Sequence, residues 1–189
     1  MSCAPSGQER VNSFALVAYL PDPLGKFLDD LRRELVPGCA PRAHVTVLPP
    51  RPLSTTPQAA LDSLRRLLPD FSPFQIGLAN IEVFPITDVV YLGIGEGYQN
   101  LIEMHRALNV GPLQYREPFP YHPHITLAQD LTHPQSIELA AWARRRWSEY
   151  LGKRAFSVES LVFVQNLGGN LWTDLESFQL DYCSSKSPI

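Results

Sequence analysis

No apolar run in this chain approaches the roughly 20 residues needed to span a bilayer, which argues against a membrane-spanning helix. The first residues, Met1 to Asn12, lack the basic-then-apolar pattern of a secretory signal, and they read as disordered. Cysteine is scarce: Cys3, Cys39 and Cys183 are scattered, odd in number and without metal-ligand spacing. A reduced, cytoplasmic setting fits them. Basic residues are few as well. Net charge is −3, and the sole cluster, Arg144-Arg145-Arg146, falls in a helical pattern where consecutive side chains fan over different faces. Proteins that grip long nucleic acid carry a basic stripe. The expected partner is therefore small or engaged at a terminus, with no long duplex nucleic acid and no membrane, and the chain is expected to be a monomer.

The composition that remains is ordinary for a globular chain, 44% hydrophobic and 19% charged over 189 residues. That length suits one domain or two intimately packed lobes. The 18 prolines are dispersed as turn punctuation, with no low-complexity run. Read along the chain, Phe14 to Leu20 is an apolar strand, placed centrally. A helix follows with Leu24, Phe27, Leu28, Leu31 and Leu35 on one stripe, ended by Pro37-Gly38. Thr56-Pro57 is an N-cap and first-turn pair, opening a helix that buries Leu61, Leu64, Leu67 and Leu68. A strand covers about Phe74 to Phe84. The order then begins again: a strand from Val89 to Gly95, a helical stripe of Tyr98, Leu101, Ile102, His105 and Leu108, and a helix opened by His133-Pro134-Gln135. Phe156 to Val164 reads as one strand, and Leu167 to Asn170 turns into a last one, about Leu171 to Leu180.

Each round contains one short motif. Arg42-Ala43-His44-Val45-Thr46-Val47 and His122-Pro123-His124-Ile125-Thr126-Leu127 both alternate with β-branched residues, so side chains two apart share a face. The first of these strands is expected to stop at Pro49-Pro50. His44 with Thr46, and His124 with Thr126, present the same imidazole–hydroxyl pair twice. Two duplicated units, approximately 13–86 and 88–181, would bring both pairs to one groove, with 182–189 left as a tail. An unperturbed imidazole has a pKa of about 6.5, so one neutral and one protonated ring can share acid and base work. Threonine hydroxyls on a rigid strand are donors already aimed at an oxyanion.

Arg42 and His122 continue the same faces backwards and are candidate substrate contacts. Arg42 would supply a fixed positive charge. Tyr19, Tyr91, Tyr115, Tyr121 and Trp172 are candidate stacking platforms for a base. His105 sits on an apolar helical stripe and reads as a satisfied core histidine. His133 reads as a helix-start residue. His-x-His at 122 and 124 lacks the carboxylate or cysteine partners of a metal site, so neither metal nor cofactor is expected.

The paired motifs, 80 residues apart on matching strands, resemble the 2H phosphoesterase superfamily and, within it, the 2′-5′ RNA ligase-like proteins. The resemblance covers roughly residues 13–180. It implies an α+β, bilobal fold with antiparallel sheets lining a central cleft. It also implies metal-independent chemistry at a phosphodiester, often a 2′,3′-cyclic phosphate, with reversible 2′-5′ RNA ligase activity in some members. His44 and His124 would be the acid–base pair, with Thr46 and Thr126 on the non-bridging phosphate oxygens. One departure is Gln129, where ligase-like members often carry Arg. Two other readings use the same cleft: a phosphodiesterase of small 2′-5′-linked or cyclic signalling nucleotides, and a non-catalytic holder of nucleotides or RNA ends.

Overall fold

The apolar strand at the start of the chain, β1 (Phe14–Tyr19), is paired on both edges, which is why nearly all of it is buried. Helix α1 (Leu24–Leu35) turns Leu24, Leu28, Leu31 and Leu35 inward at helical spacing. Strand β2 (His44–Arg51) then runs antiparallel to β1, and α2 (Pro57–Leu67) starts at Thr56, whose side chain accepts from Ala59 N. After β3 (Phe74–Val83), the second round supplies β4 (Val90–Ile94), α3 (Tyr98–Leu108), β5 (His124–Ala128) and α4 (His133–Glu149). Three strands close the chain: β6 (Ala155–Val158), β7 (Ser160–Asn166) and β8 (Trp172–Gln179). The computed structural model describes residues 11–39, 42–169 and 171–181.

These strands form two antiparallel four-stranded sheets, ordered β2-β1-β7-β8 and β5-β4-β3-β6. The sheets do not follow the two sequence units. β3, from the first unit, pairs with β4 and β6, whereas β7, from the second, pairs with β1. Each sheet thus draws strands from both units. The chain makes its return crossing at Glu159, between β6 and β7, so the stretch read as one strand from Phe156 to Val164 is two strands in different sheets.

Two smaller expectations also change. β2 runs through Pro49 and Pro50 to Arg51, which an edge strand tolerates because only one side must supply backbone donors. Val11 and Asn12, expected to be disordered, are held: Asn12 Nδ2 donates to Leu53 O at 3.1 Å and its Oδ1 accepts from Leu53 N at 3.0 Å. The rest of that N-terminal stretch and the 182–189 tail lie outside the described residues, as do Pro41 and Asn170. His133 begins α4 as read, and Thr132 caps it, its backbone N donating to Gln135 Oε1 at 2.9 Å. Gly97, at φ 81, precedes α3, where a side chain's Cβ would run into the Gln75 carbonyl; only glycine fits that turn.

One large core unites the inner faces of both sheets with the four helices. On the opposite face of the first sheet, Ala15, Val17, Val162 and Val164 form a separate small apolar floor, with Tyr19 and Trp172 packed against it. No described helix is long and apolar enough to cross a membrane.

Candidate active site

Both motif strands are sheet edges, and β2 and β5 lie against one another across the central cleft. The pleat divides their side chains as the sequence requires. Val45, Val47, Ile125 and Leu127 are buried in the core, whereas His44, Thr46, His124 and Thr126 are half-exposed on the other face. Cross-strand neighbours complete that face: His44 lies opposite Tyr19 and Thr46 opposite Val17, while His124 lies opposite Gly93 and Thr126 opposite Tyr91.

The two imidazoles are held identically. His44 Nδ1 is 2.6 Å from Arg42 O, and His124 Nδ1 is 2.6 Å from His122 O, each a carbonyl two residues back. A carbonyl can only accept, so Nδ1 carries the proton in both rings and Nε2 keeps its lone pair. Thr126 Oγ1 lies 3.1 Å from His124 Nε2, close enough to donate to it. Burial lowers both pKa values: His44 falls to about 4, with Arg32 and a charge on His124 adding to the effect against the backbone bond to Arg42 and the carboxylate of Asp29. His124 is lowered by burial and by His122, again against its own backbone bond. A proton on His124 disfavours one on His44, so the two rings resist being charged together.

Arg42 and Tyr19 lie beside His44. The Arg42 guanidinium lies 4.1 Å over the Tyr19 ring, and the Tyr19 ring meets His44 edge-on at 6.3 Å. Tyr19 Oη donates to Asp174 Oδ1 at 2.7 Å, and burial with that bond pushes the phenol pKa upward. Asp174, on β8, was not singled out by sequence because nothing local marks it; only the pairing of β8 with β7 brings it here. Around His124 the walls are aromatic. Phe84 and Tyr91 stack at 4.0 Å, and His124 meets them edge-on at 5.0 and 5.4 Å. His122 is exposed beside the same two rings and Tyr98.

Three candidate platforms are placed differently from expectation. Tyr121 is occupied on both counts: its Oη donates to Thr46 O at 2.7 Å, and its ring stacks on His105 at 4.0 Å. Its hydroxyl and one face of its ring are thus tied into the protein. Tyr115 lies by the buried Arg51, 6.0 Å beneath its guanidinium, rather than on the motif face. Tyr91 is buried under Phe84, which sequence reasoning had passed over. His105 donates from Nδ1 to Val47 O at 2.9 Å, as a satisfied histidine does, and Gln129 is exposed beside Asp130. Among the described residues, no three His, Cys, Asp or Glu side chains converge in a way that could hold a metal ion.

Residues 20–170, which include both motifs, match the family model described as the 2′-5′ RNA ligase superfamily. The chain belongs to that superfamily. Membership places it among phosphoesterases. A "Putative phosphoesterase" of Oceanobacillus iheyensis is 28% identical over 128 residues, spanning 64% of this chain and 68% of the relative. A second protein with that description, from Halalkalibacterium halodurans, is 20% identical over 146 residues, spanning 72% of this chain and 82% of the other. Among solved structures, E. coli LigT in its apo form superposes with a TM-score of 0.61 at 18% identity, covering 90% of this chain and 98% of LigT. That likeness establishes the shared fold.

Proposed function

We propose that this superfamily member opens 2′,3′-cyclic phosphates at nucleotide or RNA ends, using His44 and His124 as the proton-transfer pair. The observation that carries the reading is the matched presentation of the two rings. Each Nδ1–H is fixed to a carbonyl, so each Nε2 is left for chemistry, on facing edge strands. In the forward step one Nε2 takes a proton from water as its oxygen bonds to phosphorus. The other imidazolium gives its proton to the ribose oxygen as the P–O bond breaks. With a ribose 5′-hydroxyl in place of water as the nucleophile, the same forward exchange joins ends through a 2′-5′ linkage, the 5′ oxygen bonding to phosphorus as the bond from phosphorus to the 3′ oxygen breaks. Thr46 and Thr126 donate to the non-bridging oxygens, and Arg42 supplies fixed charge at the mouth. E. coli LigT has been solved with 3′-AMP, ATP, NADP+ and phosphate, which supports a nucleotide-sized ligand here.

A turnover panel tests the reading. Nucleoside 2′,3′-cyclic phosphates, short RNAs ending in the same group, 2′-5′-linked dinucleotides and 3′,5′-cyclic nucleotides would be compared. Hydrolysis of the first two classes is the expected result. Turnover confined to the latter two would indicate a signalling-nucleotide enzyme, and binding without turnover a holder of nucleotides. Binding across a salt series should be shallow for the RNA end, because each neutralised phosphate of a single strand adds only about −0.7 to the slope of log K against log salt. A steep slope for the longer RNA would overturn the terminal mode.

The lowered histidine pKa values fix the pH dependence. The competent free enzyme has one imidazolium and one neutral ring, a state most populated between the two pKa values. Both lie below the ordinary histidine value of about 6.5. The pH optimum of kcat/KM, which reports the free enzyme, is therefore expected on the acid side of pH 6.5. A plateau reaching pH 8 would contradict it.

A further inference from the structure

We propose that Tyr121 is a positioning residue that sets the spacing between the two motif strands. Tyr121 stands three residues before His124 on the segment leading into β5, yet its hydroxyl bonds to the backbone of the other motif, at Thr46 O. The next carbonyl along, Val47 O, accepts from His105 Nδ1. Two successive carbonyls of the first motif thus take donors from the part of the chain that delivers the second. β2 is an edge strand, so these bonds replace the sheet partner it lacks on that side.

The donors are themselves held. The Tyr121 ring lies nearly parallel on the His105 ring, at 4.0 Å and 12°. His105 Nε2 is 3.5 Å from Glu117 Oε2, and Glu117 Oε1 accepts from Arg51 Nη2 at 2.5 Å. Arg51, on β2, also donates to Asn109 Oδ1 and Leu113 O. The segment from 105 to 121 is therefore bonded to β2 at Thr46, Val47 and Arg51. Burial raises the Tyr121 phenol pKa, so its hydroxyl stays a donor across any working pH. A misplacement of about 1 Å at a reacting group can cost on the order of a hundredfold in rate, and this clamp acts on exactly that dimension of the cleft. The proposal rests on the reading that His44 and His124 serve one substrate.

The test is Tyr121→Phe, which keeps the ring on His105 and removes a single O–H. With adenosine 2′,3′-cyclic phosphate, kcat is expected to fall between about tenfold and a hundredfold, with KM changed less than about twofold. Tyr150→Phe is the control for loss of a phenol elsewhere, since Tyr150 sits in the stack with Phe27 and Trp147, and it should leave kcat unchanged. Incorporating para-aminophenylalanine at position 121, which restores a donor, should recover kcat. A readout that needs no substrate accompanies these: NMR titration of the His44 C2 proton. Its midpoint should rise by at least about one pH unit in Tyr121→Phe as water enters the cleft, and should stay put in Tyr150→Phe. Wild-type kcat together with an unmoved His44 titration would overturn the proposal. Undiminished turnover in His44→Ala and His124→Ala would instead defeat the reading it rests on, with the NMR titration still deciding the role of Tyr121.

Discussion

Replacing His44 with Ala should lower kcat at least about a hundredfold, the usual scale of a positioned acid or base, and His124→Ala should do the same. The two losses should not multiply. Once one imidazole is gone, the proton cycle is already broken, so His44→Ala/His124→Ala should fall far short of the product of the single effects. The structure sharpens the expectation, because both rings are locked by the same bond to a carbonyl two residues back. His44→Asn and His124→Asn, whose Nδ2 can take the place of Nδ1 as donor to that carbonyl, should remain as inactive as the alanine variants. Single variants at near wild-type kcat would remove these residues from the reaction.

The largest effect on stability is expected at Glu117, far from the chemistry in sequence. Arg51 is 2% exposed, and its guanidinium is shared among the Pro49 and Leu113 carbonyls, the Asn109 side chain and Glu117. Only Glu117 among these brings a formal negative charge. Glu117→Ala strands a buried cation, a change that typically costs about 3–5 kcal/mol, which for a chain of this size lowers Tm by roughly 10 °C. Arg51→Met combined with Glu117→Leu should recover much of the loss, since a well-packed apolar pair often matches or exceeds a buried ion pair. Equal melting temperatures for Glu117→Ala and the native chain would show that the neutral partners alone satisfy the guanidinium.

Comparison of sequence with structure shows where local rules stop. The two motifs were legible because a pleated strand needs only alternation, and His44-Val45-Thr46-Val47 and His124-Ile125-Thr126-Leu127 alternate cleanly. The helix stripes and the Thr56 cap were legible for the same reason, being set within a few residues. What escaped was decided over long separations. Phe156 to Val164 carries no glycine or proline, so nothing in it announces that its halves belong to different sheets. Pro49 and Pro50 read as a stop because sequence does not reveal that β2 is an edge. The bond from Tyr121 to Thr46 spans 75 residues, and that from Arg51 to Glu117 spans 66. An aromatic near a motif looks like a platform for a base until the fold shows what already covers it.

The interleaving of strands between sheets has a consequence for the order in which the chain can acquire structure. One sheet, from β3 to β6, is drawn from a continuous stretch, 74–158, whereas the other joins β1 and β2 to strands that begin only at residue 160. Long-range pairings of that kind carry the larger loop-closure cost and form late. During synthesis the β1–α1–β2 segment must therefore wait, its apolar faces uncovered, until β7 and β8 have left the ribosome. Pulse-labelled amide protection should appear first in the middle of the chain and last in its amino-terminal strands, so the half of the cleft that carries His44 is completed after the half that carries His124.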